Sequence, residues 1–204
     1  MPFEQFVLLF LFVTALVGTP GPANLSLLAL GMRHGAIRTL PFLFGTLTGF
    51  QIILSLNALG LMALISTVPW LLDGLKVVCL GYICYLAYGI AVSRPVAIGE
   101  AQTPAQRAGD FVRGFWIHPL NPKAYAMQIA ALTQFVRPGD GMMQFVVIAV
   151  TFIAWGGVLN FGWAAGGALF RDIANTPSRY RIASLVMAVL MVASVTVSLF
   201  LVSD

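Results

Sequence analysis

Two short clusters hold the residue types that could do chemistry in this otherwise apolar chain: Thr19-Pro20-Gly21-Pro22-Ala23-Asn24 and His118-Pro119-Leu120-Asn121-Pro122-Lys123. Proline has no N–H and crowds the preceding turn, so each cluster interrupts a helix and frees backbone groups that hydrocarbon cannot satisfy. Asn121 followed by Pro122 reads as an N-cap with proline at the first helical position, and Gly21 followed by Pro22 reads the same way. Each restarted half-helix turns the positive end of its dipole toward the break. There it offers the N–H groups of Ala23, Asn24 and Leu25, or of Lys123, Ala124 and Tyr125, for which a carboxylate is the natural ligand. Pro20, Gly21, Pro22, Asn24, Asn121, Pro122 and Lys123 are therefore the expected substrate-binding residues.

Lys123 precedes Arg137 by 14 residues, roughly 20 Å along a helix, which sets it deep for a loop charge. Intramembrane ionisable side chains are costly and functional by default. Two structural readings stay open beside that one: snorkelling toward the surface, and a bond to carbonyls freed by Pro119 and Pro22. His118 could titrate near neutral pH or serve as a hydrogen-bonded structural residue. No Asp or Glu lies between residues 5 and 72 or between 141 and 171, which leaves no material for a carboxylate relay in those segments. Proton coupling is thus expected at Lys123 first, with His118, Asp73 at the outer mouth and the substrate's own amino group as alternatives. Gln51, Ser55, Asn57 and Asn160 either line a path or bond between helices.

These residues sit in an unusual background. The chain is 59% hydrophobic and 9% charged, with a mean hydropathy of +0.92, against roughly 25% charged residues in an ordinary soluble domain. It reads as one all-α integral membrane domain, 1–204, with room for about six spans of roughly 20 residues each. The net charge of +4 would suggest an anionic partner in a soluble protein; here the basic residues read as topology signals. No phosphate loop, nucleophile triad or metal-ligand cluster is present, so no enzyme activity, cofactor, metal or nucleic-acid partner is expected.

Stretches poor in charge place the spans at 5–32, within 39–72, at about 70–92 with Asp73 and Lys76 at its mouth, at 114–136 around Lys123, within 141–170 and at about 182–202. The second is expected to end before Thr67-Val68-Pro69. The apolar run at 6–17 resembles a leader, yet Glu4 stands where a basic region belongs and apolar helix resumes from Asn24 to Met32, so an uncleaved first span is expected. The stretch 94–113 links a first repeat (about 1–93) to a second (about 114–204), although 103–113 is polar enough to lie at the interface. An offset of about 99 residues brings Pro20 onto Pro119. Three spans per half would make the halves an inverted repeat, with the first and fourth helices broken, and paired breaks of this kind mark transporter binding sites.

Basic residues divide unevenly across six spans. Arg33, Arg38, Arg94, Arg107, Arg113, Arg171, Arg179 and Arg181 fall on one side, Lys76 and Arg137 on the other. The rich side is cytoplasmic by the positive-inside rule, which places both termini in the periplasm. Gly45-xxx-Gly49 and Gly162-xxx-Gly166, with Gly167, are expected to let helices approach closely. Trp70, Trp116 and Trp163 fit interfacial belts. Cys79 and Cys84, about 500° apart on one helix, point in different directions and are poor disulfide partners.

Taken together, Thr19-Pro20-Gly21-Pro22-Ala23-Asn24, Gly31, His34-Gly35, Gly45-xxx-Gly49, Leu59-Gly60-Leu61, Lys76, Gly81-Tyr82, Gly114-Phe115 and Asn121-Pro122-Lys123-Ala124 resemble the LysE-type amino-acid exporter family, which includes the homoserine and threonine efflux proteins. The resemblance covers essentially the whole chain. It implies proton-motive-force-driven efflux of amino acids or their derivatives across the bacterial inner membrane, and Gly49-Phe50 with the 82–95 region look most like the cysteine and O-acetylserine branch. His118-Pro119 departs from the Asn and apolar residue common in the family, and Phe50 from a frequently polar position. Two other classes remain: a thiol-electron carrier of the CcdA kind, which should carry one redox cysteine per half, and a non-transporting membrane subunit. The bilayer and a small amino-acid substrate are the expected partners, and a homo-oligomer is left open.

Overall fold

The computed structural model describes residues 1–94, 102–137, 141–174 and 176–201. Among these the chain is helical, without strands: α1 (Phe3–Gly18), α2 (Pro22–His34), a 3-10 turn (Ile37–Thr39), α3 (Leu40–Ala58), α4 (Leu61–Ser66), α5 (Pro69–Ala91), α6 (Pro104–Ile117), α7 (Pro122–Phe135), α8 (Gly141–Ile173) and α9 (Pro177–Leu201). Proline opens α2, α5, α6, α7 and α9, where its fixed φ suits the first helical position and its missing N–H costs nothing.

Four helical segments are long and apolar enough to cross a membrane: α3 with its preceding turn, α5, α8 and α9. The bent pair α1–α2, angled by 62° at its break, makes a fifth. The fourth expected span, 114–136, is not met on this measure. Its first part, α6, carries Arg107, Asp110 and Arg113, and α7 with 14 residues extends only about 21 Å, short of a roughly 30 Å hydrocarbon core. The expected linker is itself helical from Pro104 onward. A capping box starts α6 there: Gln106 N donates to Thr103 Oγ1 at 3.2 Å and Thr103 N donates to Gln106 Oε1 at 2.8 Å. The second span ends at Ala58, before Thr67-Val68-Pro69 as expected, where Gly60 takes a left-handed φ of 91° that ordinary side chains avoid.

α3 lies along α6 and α1 along α8; α2 lies along α8 and α7 touches α3; α5 packs on α9. Glycines create the two closest crossings. A methyl added at Gly45 or Gly49 would collide with the carbonyls of Phe111 or Phe115, and one at Gly114 with that of Phe42, so α3 and α6 meet backbone to backbone. Gly31 against Ala164 and Gly167 against Leu28 do the same for α2 and α8. Gly162 meets nothing and Gly166 only a Leu28 side chain, so Gly167 alone of that expected trio makes a close approach. α1 is pinned to α8 by Trp155, which donates to Thr14 Oγ1 at 2.8 Å and stacks on Phe10. Cys79 is buried, Cys84 is exposed, and both are free.

Candidate functional site

α1 stops at Gly18, Thr19 and Gly21 are extended, and Pro22 restarts the helix. The carbonyls stranded at the end of α1 need donors, and Asn24 supplies two. Its Nδ2 donates to Val17 O at 2.6 Å and to Thr19 O at 2.8 Å. Buried at 5% exposure, Asn24 therefore clamps its own break, so its amide hydrogens face protein carbonyls rather than the space between the halves.

The second break is built alike from different atoms. Asn121 caps α7, its Oδ1 accepting from Lys123 N at 3.1 Å. Tyr125 Oη donates to Pro119 O at 3.0 Å, doing for this break what Asn24 does for the first. The expected free donors are accordingly fewer: Leu25 N is held by Gly21 O and Ala124 N by Asn121 O. Ala23 and Asn24 remain as the first-turn N–H groups the first break can still offer.

Lys123 joins the two breaks. Its Nζ donates to Thr19 Oγ1 at 2.8 Å, Thr19 O at 3.2 Å and Pro20 O at 3.3 Å. Of the alternatives for this lysine, the geometry is that of the bond to freed carbonyls, though to those of Thr19 and Pro20, on the opposite break. Gly21 lies beside the chain; a methyl there would stand 3.2 Å from Nζ, which would crowd the ammonium.

Between the breaks lies a cavity of about 40 Å³ bordered by Gly21, Asn24, His118, Asn121, Lys123 and Asn160, with Phe50 and Phe152 among its apolar walls. That volume holds about two or three waters. Two buried polar atoms on its lining residues lack partners: His118 Nδ1 and Asn160 Oδ1. His118 is placed by an edge-to-face contact with Phe50, centroids 5.1 Å apart. Unsatisfied buried atoms are costly, and both sit where a ligand could satisfy them.

The other expected residues lie elsewhere. Gln51 Nε2 donates to Ala149 O at 3.1 Å, and Asn57 Nδ2 donates to Gln128 Oε1 at 2.6 Å; both are interhelical bonds, and of the four candidates Asn160 borders the cavity. Ser55 bonds its own helix at Gln51 O. Asp73 pairs with Lys76 at 3.2 Å on an exposed turn of α5. Sequence reasoning overlooked Gln128, which is fully buried and donates to Phe50 O at 3.0 Å. An uncharged polar residue in an apolar run was the available signal. It also overlooked the roles of Thr19 and Tyr125, for which only position within the clusters pointed the way.

The family described as LysE type translocator matches residues 14–202, which takes in both breaks and all the residues just described. The chain belongs to that family. A cysteine/O-acetylserine efflux protein of Klebsiella pneumoniae subsp. pneumoniae is 32% identical to this translocator over 167 residues, covering 79% of the chain and 80% of the relative. A protein of the same description from Salmonella typhimurium is 30% identical over 164 residues, 78% and 79% of the two chains. An uncharacterized membrane protein of Pseudomonas aeruginosa is 30% identical over 156 residues, 72% and 71%. No solved structure matches the chain at the same stringency.

Proposed function

We propose that this translocator exports amino acids or their small derivatives from the bacterial cytoplasm, using the proton motive force, with cysteine and O-acetylserine the first substrates to test. The observation that carries the reading is the pair of helix breaks facing one cavity, tied by Lys123 and lined by unpartnered His118 Nδ1 and Asn160 Oδ1. The polarity suits a zwitterion. Lys123 Nζ and the N–H groups of Ala23 and Asn24 supply positive character for an α-carboxylate, while Asn160 Oδ1 and His118 Nδ1 can accept from an α-ammonium.

At about 40 Å³ the cavity is too small for an amino acid, so binding requires the breaks to part. On parting, Lys123 exchanges three carbonyl and hydroxyl acceptors for a carboxylate, a charge-assisted bond worth roughly 1.5–3 kcal/mol. That exchange gives the ligand differential affinity for the open state, which is the condition for it to shift the conformational equilibrium. On this reading α1–α2–α3–α5 and α6–α7–α8–α9 are two halves that rock against each other as inverted repeats about this site. Orientation follows the arginines. Arg33, Arg38, Arg113 and Arg171 all act electrostatically on His34, one basic end that we assign to the cytoplasm of an inner-membrane protein with periplasmic termini.

Counterflow in proteoliposomes with labelled O-acetylserine, cysteine and a panel of other amino acids tests the function. Exchange of at least one panel member above empty vesicles is expected. Absence of exchange for all of them, with the protein inserted and folded, overturns the reading.

A further inference from the structure

A second polar cavity opens on the basic end of the molecule, between α2, α3, α5 and α6. It measures about 260 Å³; its charged lining comes from Arg33, Asp110 and Arg113, and Ser26, Ser93, Tyr85 and Tyr88 also border it. Ser26, Ala29, Leu30 and Arg33 border it at the spacing of one face of α2, the same helix that begins at the first break. It is over six times the volume of the break cavity, large enough for a molecule the size of an amino acid.

Its charges are incompletely matched. Asp110, 6% exposed, pairs with Arg113 at 3.3 Å and accepts from Gln102 Nε2 at 2.9 Å. Arg33 makes no ion pair among the described residues, and its Nε is buried without a hydrogen-bond partner. Leaving a guanidinium nitrogen unsatisfied away from water is unfavourable, and a planar carboxylate is the group that best completes it. The adjoining carboxylate of Asp110 makes the cavity unsuited to a bare anion and suited to an anion carrying its own ammonium.

We infer that this cavity is a cytoplasmic entry site for a zwitterion, with Arg33 receiving the carboxylate and Asp110 the ammonium before the molecule passes along α2 to the break. The inference rests on the exporter reading. A zwitterionic ligand can also come from a phosphatidylethanolamine headgroup, whose phosphate and ammonium share this chemistry, so the test separates the two sources.

The test measures transport of labelled O-acetylserine by wild type and Arg33→Gln in vesicles of both orientations, made either with phosphatidylethanolamine or with phosphatidylcholine alone. Arg33→Gln is expected to raise the apparent KM from the cytoplasmic face about tenfold or more, with kcat within about twofold and the opposite face unchanged, in both lipids. An unchanged KM on the cytoplasmic face overturns the entry site while leaving the exporter intact. A change confined to phosphatidylethanolamine vesicles assigns the cavity to a headgroup and overturns it too. A wild type that transports no amino acid removes the exporter reading first. If Arg33→Gln fails to fold, modification of wild-type Arg33 by phenylglyoxal replaces it: protection by millimolar O-acetylserine in detergent is expected, and equal modification with and without it overturns the site.

Discussion

Lys123 Nζ lies 2.8 Å from Thr19 Oγ1, so one ammonium joins two helix breaks that sit about a hundred residues apart in sequence. Replacing Lys123 by Met keeps the bulk and removes all three bonds, leaving the carbonyls of Thr19 and Pro20 with one donor fewer. The expected loss is about 1–3 kcal/mol, seen as a lower melting temperature in detergent, together with a tenfold or greater fall in substrate affinity. A variant with unchanged melting and binding would make the bridge incidental.

The glycine crossings predict opposite signs for one kind of substitution. Ala at Gly31, Gly45, Gly49 or Gly114 must displace a facing carbonyl, and overpacking of this kind costs about 1–3 kcal/mol. Ala at Gly162 meets nothing and removes a flexible residue from a helix interior, which is worth about 0.5–1 kcal/mol in the stabilising direction. Thermal melting of the five variants checks both signs.

Gln128 links Asn57 of α3 to the Phe50 carbonyl one helical stretch earlier. Gln128→Leu leaves the Phe50 carbonyl and the Asn57 amide without this partner. A double-mutant cycle with Asn57→Ala is expected to return a coupling of about 0.6–1.7 kcal/mol, the range found for interhelical bonds in membranes. A coupling near zero would mean that each side chain finds other partners.

What the sequence made legible was local chemistry. Proline after asparagine or glycine located both breaks and the starts of α2 and α7, because those rules act within a few residues. The glycine pair Gly45 and Gly49 was read correctly as a contact, but its partner α6 was not, since spacing reports a small face and not what packs on it. Lys123 stood out by depth, while its bonds to Thr19 and Pro20 depend on how two distant segments meet. Asn57 and Gln51 were left between path and interhelical bond for the same reason: a polar side chain on a helix looks alike whether it faces a cavity or a neighbour. The fourth span was counted from the fall in charge after 113, yet α6 begins at a capping box ten residues earlier and brings its charges with it.

Topology is predicted from the arginine count. Ala105 is exposed at the start of α6, so Ala105→Cys in a Cys84→Ser background should react with an impermeant maleimide in everted vesicles and stay unlabelled in intact cells. Labelling from the periplasm would invert the assignment and move the arginine-rich end outside.

Coupling distinguishes Lys123 from His118. Three acceptors around one nitrogen use all three hydrogens of an ammonium, and the carboxylate proposed to replace them on opening favours the same charged form, so on that proposal Lys123 has no step at which losing a proton helps. His118 has an unpartnered Nδ1 at the cavity and can take a proton from one side and release it to the other as the breaks part. Sequence reasoning put Lys123 first; the bonding now favours His118. Lys123→Arg, which stays charged at every accessible pH, should therefore keep pH-driven uphill transport even if its rate falls, while His118→Gln should keep downhill exchange and lose accumulation against a gradient. The measurement is uptake of labelled O-acetylserine into vesicles with and without an imposed pH difference. Loss of coupling in Lys123→Arg with coupling intact in His118→Gln would return the proton to the lysine.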